Sequence, residues 1–197
     1  MNKINSIFQL RKVTAVLDSC VLFPAQLRDM FMHLALKGVF RPRWSDEIHN
    51  EWIKAVLSNR PDLSNQQLQR TRLLMDSNVI GCLTTNYEHY IPNIDLPDVK
   101  DRHVVTVAIK SSADVIVTFN LKDFPTQELN KYDIIALHPD IFFEQLLVNH
   151  TATFISALEQ QIEMLKNPPI SKQEFIRILH NSRLPQTATR LEVLGLK

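Results

Sequence analysis

LPDVKDRHVVTVAIKSSADVIVTFNLKDFP, residues 96–125, is the stretch from which the fold is read. Asp98 and Asp101 stand just before an apolar segment, residues 102–110, with helical spacing. Carboxylates are favoured there because a helix N-terminus carries partial positive charge. Residues 113–118, ADVIVT, then form a compact apolar run of the kind buried in a parallel sheet. The run ends in a polar loop that holds Asn120, Lys122 and Asp123. A helix thus leads into a buried strand, and the strand into an acidic loop.

The same alternation extends in both directions. Residues 14–17, TAVL, read as a strand ending on Asp18. Pro24 suits a first helical turn, Leu27, Met30, Phe31, Leu34 and Ala35 follow at helical spacing, and Gly38 suits the residue after the helix. Residues 39–44 predict a second strand, with Pro42 placing it at an edge or an end. Ser45 caps a helix carrying Ile48, Glu51 and Trp52, and Ser64 with Gln67 has the form of a capping box that opens another helix through Met75. Residues 79–83 and 134–137 read as further strands, and Pro139 starts a helix through Val148. The alternation predicts an α/β domain with a central, mainly parallel sheet and helices on both faces. With only three glycines, no glycine-rich phosphate loop is available.

After His150 the pattern is helical alone, so the chain divides into a main domain, residues 1–150, and a C-terminal helical extension, residues 151–197. Phe154, Ile155, Leu158, Ile162 and Leu165 form one stripe, which Asn167-Pro168-Pro169 interrupts. Ser171 and Glu174 have the form of a second capping box ahead of Phe175, Ile176, Ile178 and Leu179, and a short helix follows Pro185. The extension has too little core to stand alone and is expected to pack on the main domain or on a partner.

At 197 residues and 45% hydrophobic content the chain can bury a core, and a net charge of +1 neither demands nor excludes nucleic acid. Two cysteines, Cys20 and Cys82, give no disulfide framework and no zinc pair; both read as buried thiols. No signal-peptide segment or membrane-length apolar run occurs, so a cytoplasmic protein with no membrane partner is expected.

The acidic residues carry the chemistry. Asp18, Glu51, Asp101 and Asp123 lie far apart in sequence, yet each falls next to a strand end or a helix start. Any one alone reads as a turn, surface or helix-start residue. Together they predict convergence outside the carboxyl ends of the strands, where α/β proteins place their sites. Glu47 shares a helix face with Glu51 and is an alternative to it, Asp98 lies beside Asp101, and Thr118 and Asn120 add neutral oxygens beside Asp123. An oxygen-rich set of this kind suits Mg²⁺ or Mn²⁺.

Val-Leu-Asp at residues 16–18, Trp-Ser-x-Glu-Ile-x-x-Glu at 44–51, Asp-x-x-Asp-Arg-His-Val-Val at 98–105 and Val-Thr-x-Asn-x-x-Asp-Phe-Pro at 117–125 resemble the PIN domain, in particular the VapC-like ribonuclease toxins of toxin–antitoxin pairs. The resemblance runs from about Val13 to Val148 and is most specific over residues 98–125. It implies a three-layer α/β/α fold. It also implies metal-assisted hydrolysis of phosphodiester bonds in RNA, tRNA among the candidates. Asp18, Glu51, Asp101 and Asp123 would act as the catalytic carboxylates, and with Asp98 and Asn120 they would hold one or two ions. Asp98 matches an acidic position found in only some members. Thr118 and Glu47 would support the set. The resemblance further implies a cognate antitoxin as partner and a homodimer.

Substrate backbone needs positive charge near the acids, for which Arg41, Arg43, Lys100, Arg102 and Lys122 are the candidates. His103 reads as a structural or surface residue rather than a general acid. An antitoxin groove would have to come from Phe142, Phe143 or the apolar faces of the extension, and these equally suit the chain's own core. An RNA- or protein-binding module without catalysis and a nuclease acting on DNA are the alternatives. A phosphatase with a nucleophilic aspartate is disfavoured, because Asp18-Ser19-Cys20 lacks the second aspartate of that signature.

Overall fold

The computed structural model describes residues 3–166 and 168–196. Four strands, β1 (Thr14–Leu17), β2 (Arg41–Arg43), β3 (Val115–Val117) and β4 (Ile135–Leu137), form one sheet in the order β2-β1-β3-β4. All three pairings are parallel. From β1 the chain steps outward to β2, and from β3 it steps outward the other way to β4. The switch point therefore lies between β1 and β3. Every residue of β3, and Ala15, Val16 and Leu17 of β1, is buried, which explains continuous apolar runs in place of alternation.

Eleven helices are described: α1 (Lys3–Leu10), α2 (Ser19–Leu22), α3 (Ala25–Leu36), α4 (Asp46–Asn59), α5 (Asn65–Asn78), α6 (Arg102–Lys110), α7 (Thr126–Leu129), α8 (Pro139–Asn149), α9 (Thr151–Met164), α10 (Lys172–Asn181) and α11 (Pro185–Val193). They flank the sheet in a three-layer α/β/α arrangement, with α6 packed on β1 and β3. An aromatic cluster joins α3 to α8: the Phe31 and Phe143 rings lie 4.5 Å apart and the Phe40 and Phe142 rings 5.2 Å apart. Phe8 of α1, a helix that the sequence pattern does not mark, meets Phe142 edge-on.

Local signals account for most element ends. Gly38 follows α3 at φ 71°, a conformation glycine adopts freely, and its N–H donates to the Ala35 carbonyl. Ser45 accepts from the Ile48 N–H, and Ser64 and Gln67 make the full reciprocal box. Ser171 accepts from the Glu174 N–H at the start of α10. Pro42 sits in the edge strand β2. Residues 79–83 differ from expectation, because they contribute only a single bridge, Trp44 to Leu83. Gly81 takes φ 76° in the middle of the run and Ile80 is 97% exposed, so the run cannot lie flat against β2. In the break after α9, Asn167 lies outside the described residues.

The extension packs on the main body. Helix α9 lies on α3, α11 lies on α8, and α10 touches α9 and α11. Phe142, Phe143, Phe154, Phe175, Ile176 and Leu179 are all buried. These faces are thus the chain's own core and not an open groove for a partner. The join is also polar. Asp140, buried in the first turn of α8, accepts from the Gln186 N–H at 3.0 Å, the Thr187 N–H at 2.8 Å and the Thr187 hydroxyl at 2.8 Å. Its carboxylate thereby satisfies the otherwise unpaired amides of the first turn of α11. Asp140→Ala should destabilise the protein by about 3 kcal/mol in urea unfolding, since buried donors lose their acceptor. Thr187→Val, which removes one hydroxyl, should cost about 1 kcal/mol. Equal and negligible losses would show that the carboxylate does not hold the helices together.

Candidate active site

The site is built at the switch point. Asp18 directly follows β1, and its backbone N–H bonds to the Val117 carbonyl at 3.1 Å, so the carboxylate stands at the carboxyl ends of the two central strands. It is 5% exposed. Its Oδ2 accepts from the Thr118 hydroxyl at 2.7 Å and from the Cys20 thiol at 3.0 Å, and Oδ1 accepts from Ser19 at 3.3 Å. Burial first, then the charge of Asp18, pushes the Cys20 thiol up to about 12. Cys20 is therefore a fixed donor and not a nucleophile. Its sulfur in turn accepts from the Phe119 N–H at 3.3 Å, which ties the loop after β3 to the loop after β1.

Helix α4 delivers the glutamates. On one face, the Trp52 indole donates to His49 Nδ1 at 2.9 Å, so the neutral ring carries its proton on Nε2 and directs it at Asp76, 3.1 Å away. The Trp44 indole donates to the same Asp76 oxygen at 2.7 Å. This network fixes the rotation of α4. The other face then presents Glu47 and Glu51 to His103, in the first turn of α6. His103 Nε2 lies 3.1 Å from Glu51 Oε1, and Nδ1 lies 3.7 Å from Glu47 Oε2 without a hydrogen bond. The Tyr87 hydroxyl donates to Glu47 at 3.5 Å. Burial opposes charge on the His103 ring. The hydrogen bond and charge of Glu51, then Glu47 and Asp18, outweigh it, and the pKa is raised. His103 is thus a buried partner of the glutamates.

Asp98 caps the short turn ahead of α6 by accepting from the Lys100 N–H at 2.9 Å. Asp101 ends that turn, half-buried. Its carboxyl is raised to about 6, by burial first and then by the charges of Asp18, Asp98, Asp123 and Glu51 in that order. Carboxylates from four separate chain segments therefore press on one another around Asp101. Asp123 lies in the turn Leu121–Asp123, held by its N–H on the Asn120 carbonyl at 3.0 Å. The Asn120 N–H donates to Thr118 at 3.0 Å, and its side chain stays exposed.

The basic candidates separate. Arg102 and Lys122 lie next to Asp101 and Asp123, and Arg102 Nε is buried without a hydrogen-bond partner among the described residues. Arg41 pairs in register with Thr14, the first residue of β1, so it stands at the opposite end of the sheet from the acids. Arg43 is committed to the Gly81 carbonyl on the sheet edge, and burial lowers its pKa. The register thus removes Arg41 from the acids, whereas Arg43 pairs with Val16 near the carboxyl end of β1 and is drawn to the edge by its bond to the Gly81 carbonyl.

The donor set fits a divalent cation. Like charges are held together, and oxygen ligands predominate. Glu47, Glu51 and His103 also present ligand atoms within 4.8 Å of one another. His103 is the residue that sequence reasoning under-weighted. The available signal is its place two residues after Asp101, facing the i, i+4 pair Glu47 and Glu51.

A family model described as a PIN domain matches residues 14–122, and one described as the VapC50 C-terminal domain matches residues 139–193. A curated protein of Mycobacterium tuberculosis, "Putative ribonuclease VapC50", is 35% identical over 91 residues, which are 46% of this chain and 53% of that protein. The chain thus spans about half the length of that relative. No solved structure matches the chain.

The raised Asp101 carboxyl sets a pH dependence. Its folded pKa exceeds the unfolded value of 3.8, so the neutral form favours the fold, and that contribution is lost as pH rises through about 6. In EDTA, Asp101→Asn should therefore melt about 2–4 °C above wild type at pH 8, equivalent to about 1 kcal/mol after solvent screening, and the difference should shrink below pH 6 and vanish only below the unfolded value of 3.8. Mn²⁺ at pH 8 should stabilise wild type more than the variant. Parallel melting curves for the two proteins across this range would contradict the acid cluster.

Proposed function

The chain belongs to the PIN-domain family, and we propose that it is a metal-dependent endoribonuclease, the toxin of a VapC-like toxin–antitoxin pair. One observation carries the reading: the Asp101 carboxyl is perturbed by Asp18, Asp98, Asp123 and Glu51 together at the switch point of a parallel sheet. Natural sequences retain such repulsion at functional sites. The likeness to a protein named as a ribonuclease supports RNA as the substrate.

Asp18, Glu51, Asp101 and Asp123 would hold one or two Mg²⁺ or Mn²⁺ ions, with Asp98, Asn120 and Glu47 at the margin. A cation bound there supplies a water of lowered pKa and positive charge opposite the oxygens that become negative during hydrolysis. The protein's own part is orientation. Asp18 cannot swing, because Thr118 and Cys20 hold one oxygen and Ser19 the other. His103 holds Glu51 toward the site. Arg102 and Lys122 are placed to take phosphate oxygens of the strand being cut. Water is the nucleophile; the protonated Cys20 thiol cannot serve.

An antitoxin protein would silence this site, and its contacts lie outside the buried faces of α8, α9 and α10. A cytoplasmic setting and a homodimer are part of the same proposal.

Purified protein should cut a single-stranded RNA or tRNA in Mg²⁺ or Mn²⁺ and stop in EDTA. Asp18→Asn should fold and lose about 100-fold or more of the cleavage rate. A folded Asp18→Asn protein that cuts at the wild-type rate would remove Asp18 from the chemistry. Wild type, free of antitoxin, that binds RNA but never cuts it with any metal would make the protein a binding module.

A further inference from the structure

The C-terminal extension reaches the proposed site at one side chain. Arg183 lies in the connection between α10 and α11, and its guanidinium carbon sits 4.7 Å from the centroid of the Phe119 ring. Phe119 stands between Thr118, which holds Asp18, and Asn120. His138, just after β4, meets the same ring edge-on at 5.1 Å, and the charge of Arg183 reaches it. The guanidinium therefore lies over the loop that follows β3, the loop that also carries Asn120 and Asp123, and near the end of β4.

Three features show that this placement is built. Arg183 adopts φ 64°, the left-handed conformation that favours glycine after a helix, and its N–H closes α10 on the His180 carbonyl at 3.2 Å. A side chain there strains the backbone where glycine would not. The flanking segment is fixed, since Leu184 and Thr187 are fully buried and Asp140 holds the start of α11. Finally, no hydrogen bond or ion pair engages the guanidinium among the described residues, and the residue is exposed. Stacking on a ring uses the face of a guanidinium and leaves its in-plane N–H groups free, in the fork that matches phosphate.

We infer that Arg183 takes a backbone phosphate of the substrate strand, so that the extension supplies part of the RNA-binding surface. The inference rests on the nuclease reading. It gives the strand a path: the scissile phosphate lies over the acids between β1 and β3, and a neighbouring phosphate lies over Phe119 and Arg183.

The test is the binding of a fluorescent single-stranded RNA to the full chain in Ca²⁺ across a salt series, with cleavage in Mn²⁺ measured in parallel. Arg183→Gly should melt at or above the wild-type temperature, because it relieves the left-handed arginine. It should also weaken RNA binding about fivefold at 0.1 M salt and reduce the salt slope by about 0.7, the loss of one single-strand phosphate contact. Arg183→Lys should retain most of the slope. A folded Arg183→Gly protein with wild-type affinity and slope, in a preparation whose wild type cuts RNA, would overturn the role of Arg183 and leave the nuclease reading intact. Wild type that neither binds nor cuts RNA would overturn both.

Discussion

The carboxylate of Asp18, sealed at the seam between β1 and β3, is the constraint on which the remaining geometry depends. A charge that deep is tolerable only when its lone pairs are engaged. Thr118 comes from the far end of the partner strand, and Cys20 and Ser19 from the turn that follows Asp18 itself. The same bonds that make the charge bearable splice the two loops together, because the Cys20 sulfur also takes the Phe119 amide. With this seam fixed, Asp123 is carried in by the loop after β3, Asp101 by the start of α6 packed on both strands, and Glu51 by α4.

The second half of the site is held by opposition of charge. His103 is buried against two glutamates, and Glu51 and Glu47 favour its charged form against the cost of burial, so the ring opposes the repulsion among the carboxylates. That balance lets a repulsive group of acids coexist with a well-packed sheet beneath it. The His49–Asp76–Trp44 network does the complementary task behind α4, in polar contacts that never approach the site.

Much of this was legible because short-range chemistry decided it. Gly38, Ser45, Ser64 and Pro139 mark element ends whose causes lie within four residues, and the buried run at 113–118 could only be an interior strand, although pairing trims it to Val115–Val117. The acids were legible as a set because strand ends converge in any parallel sheet. What was not legible depends on register and packing. Arg41 seemed close to the acids in a linear reading, but parallel pairing with Thr14 puts it at the other end of the sheet, and Arg43, opposite Val16, is held at the edge by the Gly81 carbonyl. Residues 79–83 have the composition of a strand and lack a partner beyond one bridge. Arg183 carries no motif, since only the docking of α11 on α8 brings residue 183 to residue 119.

The Asp140 lock also bears on where this chain can be divided. A recombination point just after α8 would part the Asp140 carboxylate from the Gln186 and Thr187 groups that satisfy it, leaving the first turn of α11 without its acceptor. A joint placed before Pro139 transfers the acid together with the amides it serves. The sequence unit matched at residues 139–193 begins at that proline. That unit therefore holds both the buried negative charge and the amides that meet it.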